Sequence, residues 1–272
     1  MDCTVAEFKT NQIFNENCLE TIKKIPNDFV DIVVTSPPYN MNLRIRKKQY
    51  CSRQIVKEFS TKYENFDDNL PIKDYYKLHK TILSDLLRIS PLIFYVIQIV
   101  TGSKRGIFQL IGDFHKELKE IIVWDKTHGQ PAMQKQVLNR QSELILVFDK
   151  NNGISRQFSN ATFERGSLND VWRIPRNISS LSCHKATFPE ELVKKILLNF
   201  TKENDIVYDP FLGTGTTAAV AKKLNRKFIG SELSEEYYKY AKNRITSENT
   251  LFDLQTEPEK EKKELSLFKK EL

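Results

Sequence analysis

The sequence predicts an α/β protein in which a mostly parallel sheet carries helices on both faces. Short apolar runs rich in β-branched residues alternate with segments of helical periodicity, which is typical of parallel strands joined by crossover helices. Two of the apolar runs end in turns of special composition, at the place where open α/β sheets bind ligands. The strand-like runs are Val30–Val34, Leu92–Ile99, Ile121–Trp124, Leu144–Phe148, Ile206–Tyr208 and Lys227–Gly230.

Helical periodicity fills two of the intervals between these strands. One apolar face repeats at helical spacing and ends before Pro91, which cannot continue a helix. A second helix is predicted from Pro189, since proline at the start and acids in the first turn both suit a helix N-terminus. The apolar face of the first helix consists of Tyr75, Leu78, Ile82, Leu86 and Ile89.

Composition indicates a globular protein without a disulfide framework. The 272 residues are 40% hydrophobic and 28% charged, and no apolar run is long enough to span a bilayer. The N-terminus has no basic-then-apolar signal pattern, so we expect a cytoplasmic protein. The four cysteines are scattered without a Cys-x-x-Cys pair, and His79, His115 and His128 lack ligand spacing. We therefore predict no metal site and interpret these histidines as surface or half-buried residues.

The net charge of +7 is concentrated in one segment. Between Met41 and Lys62, seven basic residues stand against the single acid Glu58. A concentrated positive segment suits contact with phosphate groups, whereas an evenly spread excess would suit only solubility. A solvated face is the alternative for any charge run. The residues that we expect to contact nucleic-acid phosphates are Arg44, Arg46, Lys47, Lys48 and Arg53.

The chain is predicted to form one main domain over residues 1–246, followed by a charged tail over residues 247–272. Two stretches interrupt the alternation of strands and helices, and both are expected at the rim of the sheet. The first is the basic loop 41–70, and the second is the insertion 150–182, which is rich in Asn, Ser and Arg.

Ser36-Pro37-Pro38-Tyr39 follows the strand-like run Val30–Val34 and forms a rigid turn at the predicted ligand edge of the sheet. The two prolines fix φ and remove two backbone donors, so the chain leaves the strand along an extended, inflexible path. The turn presents one hydroxyl, one aromatic ring and carbonyl oxygens to whatever lies above the strand. Taken alone, the segment is also compatible with a plain proline turn that exposes a tyrosine.

A glycine turn follows the run Ile206–Tyr208 and precedes a predicted helix. Glycines let the backbone pass close to a ligand, and a helix N-terminus offers free N–H groups. The next strand ends at Glu232, whose carboxylate is placed to accept hydrogen bonds from two ribose hydroxyls. The pattern Gly213-x-Gly215-x-x-Ala218 with this acid also matches the fingerprint of dinucleotide-binding oxidoreductases.

Two observations count against an oxidoreductase. Asp209 stands just before the glycine turn, where it would repel a pyrophosphate but not a cationic sulfonium. The turn Ser36–Tyr39 has no role in dinucleotide chemistry. Phe211, beside the glycine turn, can offer a π-face to a sulfonium or cover an adenine.

The Ser-Pro-Pro-Tyr turn at residues 36–39 resembles the catalytic motif of the DNA amino-methyltransferases, and Asp-Pro-Phe-x-Gly-x-Gly-Thr-Thr at residues 209–217 resembles their S-adenosylmethionine site. The catalytic motif precedes the cofactor motif, an order that resembles the permuted beta class of the family. The segment 182–189, with His184, resembles the family's segment at the methionine end of the cofactor. The resemblance covers most of residues 11–244. It implies a Rossmann-like methyltransferase fold with S-adenosylmethionine as cofactor and a small recognition insertion.

The resemblance also implies a role for each motif residue. The Oγ of Ser36 and the carbonyl of Pro37 would accept hydrogen bonds from the target amine, and Tyr39 would stack on the flipped base. The residues implied in catalysis are Ser36, Pro37, Pro38 and Tyr39. Those implied in cofactor binding are Asp209, Phe211, Gly213, Thr214, Gly215, Thr216, Glu232 and His184. The side chains of the insertion that we expect to read base edges are Arg156, Asn160, Arg165 and Arg173.

The implied function is site-specific methylation of an exocyclic base amine in double-stranded DNA. Serine at the first motif position favours N4 of cytosine, and N6 of adenine is the alternative. Such proteins usually protect DNA from a partner restriction endonuclease, and we expect a monomer or weak dimer. An RNA amine methyltransferase and a non-catalytic nucleic-acid-binding module are further alternatives. No cysteine follows a proline, which excludes the carbon-5 cytosine methyltransferases.

Overall fold

The residues that the computed structural model of the protein describes are 8–40, 44–46, 49–51, 60–61, 69–130, 135–153, 155–176 and 188–247. One large sheet runs through these ranges, and helices pack on both of its faces. This arrangement confirms the predicted α/β class. Within the described ranges, no helix combines the length and apolar character needed to cross a membrane.

The elements follow the predicted alternation, with additional short members. In chain order they are β1 (Gln12–Phe14), α1 (Cys18–Lys24), β2 (Ile32–Thr35), β3 (Arg44–Arg46), β4 (Gln49–Cys51), β5 (Ser60–Thr61), α2 (Ile72–Ile89), β6 (Leu92–Ile97), α3 (Lys104–Asp113), β7 (Leu118–Gln130), β8 (Arg140–Asp149), β9 (Val171–Arg173), α4 (Glu190–Phe200), β10 (Ile206–Asp209), α5 (Thr216–Lys223), β11 (Lys227–Ser231) and α6 (Glu235–Ser247).

The main sheet has the strand order β1-β11-β10-β2-β6-β8-β7-β9. The first five strands in this order, which are β1, β11, β10, β2 and β6, are parallel to one another. Strand β8 is antiparallel to both β6 and β7, and β9 is parallel to β7. The carboxyl ends of the parallel strands therefore meet at one edge, which we call the site edge. Because β8 runs the other way, its amino end also lies there: Leu144 pairs with Ile97, the last residue of β6.

The core lies on both faces of the sheet because the central strands β2 and β6 are buried along their whole length. On one face, α1, α2 and α3 cover Val33 and Ile93; on the other, α4, α5 and α6 cover Val34 and Phe94. Strands buried on both sides are continuous apolar runs rather than alternating ones, which is why these strands could be recognised from the sequence.

His79 is buried, so the prediction of a surface or half-buried histidine is wrong for this residue. It lies on the apolar face of α2, is 1% exposed and shares a hydrogen bond through Nδ1 with the hydroxyl of Tyr95 in β6. Helical spacing places it on the same face as Tyr75 and Ile82, which are also buried. Burial lowers the pKa of His79 to about 3, so the ring is neutral near pH 7.

Part of the predicted insertion 150–182 belongs to the main sheet. Residues Val171–Arg173 form β9 at its edge, and Trp172 is buried in the core. The predicted basic loop 41–70 contains the three strands β3, β4 and β5, which pair in a small antiparallel sheet. The tail beyond residue 247 lies outside the described residues, and the division into domain and tail stays a prediction.

Candidate active site

The proline turn and the glycine turn lie side by side because β2 and β10 are neighbours in the sheet. The two strands pair in parallel register from Ile32 with Val207. At the site edge a hydrogen bond joins their ends directly, with Thr35 Oγ1 donating to Asp209 Oδ1 at 2.8 Å. Two motifs that are far apart in the chain therefore form one site.

Asp209 is the link between the motifs. It is 2% exposed, and besides Thr35 it accepts hydrogen bonds from Thr217 Oγ1 at 2.7 Å and from the backbone N–H of Phe211 at 3.0 Å. Burial raises the pKa of Asp209 to about 6, while these hydrogen bonds favour the charged form and limit the rise. The carboxylate thus holds β2, the glycine turn and α5 together. Direct contact between Asp209 and the cofactor stays a prediction.

The glycine turn adopts a shape that other residues would strain. Gly215 has φ +82°, and a Cβ there would lie 2.9 Å from the Cβ of Ala241, so glycine lets the turn pack against α6. Gly213 has φ +55°, but among the described residues an added Cβ would meet only the carbonyl oxygen of Phe211, at 4.0 Å. The backbone at Gly213 is therefore open to close approach by a ligand.

Glu232 lies beside this opening, directly after β11. Its Oε2 accepts the N–H of Gly213 and its Oε1 accepts the N–H of Ser234, both at 2.8 Å. Burial raises the pKa of Glu232 above its usual range, against the opposing effect of these backbone donors. A half-buried carboxylate with lone pairs to spare suits hydroxyl donors on a ligand. The open backbone, this acid and the ring of Phe211 fit the adenosine end of S-adenosylmethionine.

Arg244 of α6 stabilises the glycine turn through hydrogen bonds. Its guanidinium donates to the carbonyl of Thr214 at 3.3 Å, to Thr216 Oγ1 at 3.0 Å and to Glu190 Oε1 at 2.6 Å. Lys223 of α5 donates to the other oxygen of Glu190 at 3.1 Å. Glu190 is the first residue of α4, so this hydrogen-bond network connects the start of α4 to the glycine turn. The sequence analysis did not single out these three charged residues.

Side chains around the proline turn fix its path. The Pro38 carbonyl accepts a hydrogen bond from Tyr75 of α2 at 3.2 Å. Asn40 has φ +56°, accepts the N–H of Leu70 at 2.7 Å and donates to the carbonyls of Leu70 and Gly102 at 2.9 and 3.0 Å. A Cβ at Gly102 would lie 2.2 Å from the Asn40 carbonyl oxygen, so this close approach requires glycine. The turn is held at its exit as well as by its prolines.

Ser36 and Tyr39 are hydrogen-bonded to each other and, through Tyr39, to β8. Ser36 Oγ lies 2.8 Å from the Tyr39 hydroxyl, which donates to Glu143 Oε2 at 2.7 Å. Lys126 of β7 donates to the other oxygen of Glu143 at 3.0 Å, and both side chains are almost completely buried. Gln98, next to the end of β6, has a buried Nε2 without a hydrogen-bond partner in the part of the chain that the structure describes.

The sequence analysis missed Glu143, Lys126 and Gln98. One signal was available for Gln98 and Glu143, which directly adjoin the apolar runs of β6 and β8, whereas Lys126 lies between the polar residues Asp125 and Thr127 and gave no such signal. In a strand buried on both faces, such a residue must have a polar partner or a function.

Several predicted residues lie outside the described part of the chain. These are the cofactor residue His184 and the phosphate-contacting residues Lys47, Lys48 and Arg53. For Arg44 and Arg46 the structure describes the backbone, which belongs to β3. Their roles stay predictions. Within the described ranges, no group of three or more His, Cys, Asp and Glu side chains is arranged to hold a metal ion.

The predicted base-reading residues do not lie together. Ser155 is hydrogen-bonded to the start of β7 and Thr162 to the end of α4, both at the edge of the sheet opposite the site edge. Arg156 lies between them in the chain, 3.9 Å from Glu120 of β7. The base-reading roles of Arg156, Asn160 and Arg165 stay predictions. Arg173, at the end of β9, is at the site edge and 79% exposed.

Comparison with known proteins agrees with this geometry. A type II methyltransferase of Bacillus subtilis, M.BglII, is 29% identical over 276 residues, covering 88% of this chain and 69% of the relative. The type II methyltransferase M.HinfI of Haemophilus influenzae is 28% identical over 254 residues, covering 86% and 68%. Two proteins named type II methyltransferases thus match most of the chain.

Solved structures share the fold. The cytosine-N4-specific PvuII DNA methyltransferase superposes with a TM-score of 0.66 at 19% identity, covering 89% of this chain and 88% of that one. M1.HpyAVI, solved with S-adenosylmethionine, gives 0.55 at 21% identity, covering 86% and 98%. A family model described as DNA methylase, for N6 and N4 methyltransferases, matches residues 30–243, which include both turns of the site. The chain therefore belongs to the N6/N4 DNA methylase family, whose cofactor is S-adenosylmethionine.

Proposed function

We propose that the protein methylates the exocyclic amine of a flipped base at a specific site in double-stranded DNA, with N4 of cytosine as the target. The observation that carries this proposal is the hydrogen bond between Thr35 and Asp209. It holds the hydroxyl and ring of the proline turn next to the glycine turn, where the methyl donor is expected. A methyl donor and an acceptor pocket at neighbouring strand ends are what a direct transfer needs.

The chemistry follows from the weakness of the nucleophile. The lone pair of the exocyclic amine is delocalised into the ring, and hydrogen-bond acceptors on both N–H groups turn it out of the ring plane. Ser36 Oγ and the Pro37 carbonyl are the proposed acceptors. S-adenosylmethionine supplies a methyl group on a positively charged sulfur. When bound, it would give this methyl group to the amine nitrogen and keep the electron pair of the carbon–sulfur bond, and the methylated amine would release a proton to water.

Positioning and electrostatics carry this step, so no strong base is required near Ser36. The base must leave the duplex at a cost of a few kcal/mol, and a stacking surface can offset part of that cost. Tyr39 is the proposed surface, worth about 1–3 kcal/mol by analogy with other base-stacking platforms. Arg44, Arg46, Lys47 and Lys48 are proposed to contact the phosphates that flank the flipped base.

The choice of cytosine rests on Ser36 at the first position of the motif and on the Phe188-Pro189 pair before α4, which favour N4 over N6 within the family. We further propose a restriction-modification context, because two of the similar proteins are named type II methyltransferases. A partner endonuclease of the same site specificity would then act on unmethylated DNA in the same cytoplasm.

The test is a transfer assay with S-adenosylmethionine carrying a labelled methyl group, on unmodified DNA and on RNA, followed by mass spectrometry of the nucleosides. We expect labelled N4-methylcytosine from DNA and no label in RNA. N6-methyladenine would retain the reaction class and overturn the choice of base. Label in RNA alone would favour an RNA methyltransferase. Tight binding of the cofactor with no transfer to either would favour the non-catalytic module.

A further inference from the structure

The chain of hydrogen bonds from Ser36 through Tyr39 to Glu143 has a direction that side-chain chemistry decides. An ionised carboxylate only accepts hydrogen bonds, and a phenol has a single proton. Tyr39 therefore donates its hydroxyl proton to a hydrogen bond that Glu143 Oε2 accepts at 2.7 Å. The phenol oxygen is left as the acceptor for Ser36, which lies 2.8 Å away and must donate. Both lone pairs of Ser36 Oγ then face away from this bond and can accept from an amine.

We propose that Glu143 is a positioning residue that makes Ser36 an acceptor for the target amine, with Tyr39 as the intermediary. This rests on the function proposed above. A serine hydroxyl that is free to rotate can point its proton at the amine, and it would then be a donor that faces another donor. Because the Ser36 hydroxyl donates its proton to the hydrogen bond with Tyr39, its oxygen is an acceptor for the amine in both the ground state and the transition state.

The surroundings of Glu143 keep it an acceptor. Lys126 lies 3.0 Å from its Oε1 and Arg176 lies 3.6 Å from the same atom, so both basic side chains pair with this oxygen and leave Oε2 to the Tyr39 hydroxyl. The Glu143 and Lys126 side chains are 4% and 1% exposed. Glu143 Oε2 is shielded from bulk water and accepts from the Tyr39 hydroxyl, so the protein itself fixes the direction of this series of hydrogen bonds.

The position of Glu143 supports a role in the site. It lies near the amino end of β8, and this end of the strand reaches the site edge between β6 and β7. A purely structural buried pair could stand anywhere in the sheet. This one ends on the hydroxyl of Tyr39, and burying two charges costs free energy that a pair of apolar side chains would not.

Glu143→Gln tests the proposal because it keeps the shape and reverses the direction. The amide oxygen will turn to the ammonium of Lys126, which leaves the amide NH₂ facing Tyr39. Tyr39 must then accept from Gln and donate to Ser36, whose oxygen loses one lone pair and whose proton is free to point at the amine. We expect kcat for methyl transfer to fall at least tenfold, while KM for DNA and the affinity for S-adenosylmethionine change less than twofold.

The matched control is Glu117→Gln, the same change in the residue before β7, at the opposite edge of the sheet. It should leave all three quantities unchanged. The decisive comparison adds Ser36→Ala. If Glu143 acts by orienting Ser36, Glu143→Gln should lower kcat less than twofold in a Ser36→Ala background, since there is no hydroxyl left to orient.

The outcomes separate this proposal from the proposed function. A wild-type protein that transfers no methyl group to any nucleic acid would overturn both. An active wild type with unchanged kcat in Glu143→Gln would overturn only the role of Glu143. So would losses that multiply in the double variant, because they would mean that Glu143 supports the fold and not the direction of the Ser36 hydroxyl.

Discussion

The two halves of the site are built in different ways. The half proposed to bind the cofactor, here called the cofactor half, is residues 209–217 with Glu232 and comes from one continuous stretch that spans β10, the glycine turn, α5 and β11. The half proposed to bind the base, here called the base half, is Ser36, Tyr39, Glu143 and Lys126 and is assembled from β2, β7 and β8. In the cofactor half, carboxylates accept mainly from backbone N–H groups, whereas in the base half side chains bond to one another. The first depends on backbone shape, and the second on each side chain being present.

This difference decides what a mutation should do in each half. A backbone-defined turn tolerates the loss of one side chain with a loss of ligand contacts. A buried chain of side chains does not, because removing one member leaves another charged or polar group without a partner. Asp209 belongs to both halves, since it accepts from Thr35 on one side and from Thr217 and Phe211 on the other.

The largest effect is expected on stability, from Lys126→Met. It leaves the buried carboxylate of Glu143 with Arg176, 3.6 Å away, as its remaining positively charged neighbour among the described residues, and with the Tyr39 hydroxyl on its other oxygen. The free energy of unfolding should therefore fall by roughly 3 kcal/mol. Glu232→Gln, at the half-buried acid of the cofactor half, should cost less than about 1 kcal/mol. Urea denaturation of both variants measures the contrast. Equal losses would show that the two halves do not differ in this way.

Glu232→Ala should affect binding rather than folding. Losing an acceptor for ligand hydroxyls should weaken S-adenosylmethionine binding by about 2 kcal/mol, roughly thirtyfold, as measured by calorimetry. Glu236→Ala, on the exposed surface of α6, is the matched control and should bind normally. Unchanged affinity in Glu232→Ala, or tight binding of NAD instead, would contradict the cofactor assignment.

The buried His79 behind the base half gives a pH dependence of stability. Its pKa is about 3 in the folded protein and near 6.5 when unfolded, so the unfolded chain takes up the proton first. The contribution of the neutral ring is complete above pH 6.5 and is lost as the pH falls toward 3. From this residue we expect a loss of about 1.4 kcal/mol at pH 5.5. His79→Gln should remove this part of the dependence, whereas a substitution of the exposed His115 should leave it in place.

The contribution of the basic loop to DNA binding should depend on the salt concentration, unlike the contributions of the two halves of the site. Replacing Arg44, Arg46, Lys47 and Lys48 by alanine should weaken DNA binding and flatten its salt dependence, by up to roughly 0.9 in log–log slope for each lost phosphate contact. The preferred DNA sequence and the S-adenosylmethionine affinity should stay the same. A changed recognition sequence with an unchanged slope would mean that this loop reads bases.

The same contrast explains how much the sequence could predict. The cofactor half was predictable because turn glycines, the acid before them and the acid after the next strand stand close together in the chain. The proline turn was recognisable for the same reason, but its hydroxyl partner was not. Glu143 reaches Tyr39 only because β8 is antiparallel to β6, a pairing that no local pattern specifies. From the sequence, Tyr39 was therefore assigned a role for its ring face alone, while the structure joins its hydroxyl to Ser36 and Glu143.

In the segment before α4, the composition predicted one insertion, but the structure has two differently packed parts. Asn, Ser and Arg in residues 150–182 suggested one recognition insertion, since these residue types are frequent in loops. The structure divides the described part into an apolar patch with Phe158 and Phe163 against the core and the edge strand β9. Tertiary packing by scattered aromatic residues decided that division, and it leaves no periodic signal.

The central claim is that Asp209 makes the two halves a single site, and Thr35→Val tests it most directly. Valine keeps the shape of the side chain and suits a buried strand, but it removes the donor that β2 offers to Asp209. Because Thr35 belongs to β2, which carries the proline turn, a site of two independent halves would bind S-adenosylmethionine normally in this variant. We predict that calorimetry will instead show binding weakened by about 1–2 kcal/mol, comparable to the loss in Thr217→Val. An affinity in Thr35→Val within twofold of the wild type would contradict the claim.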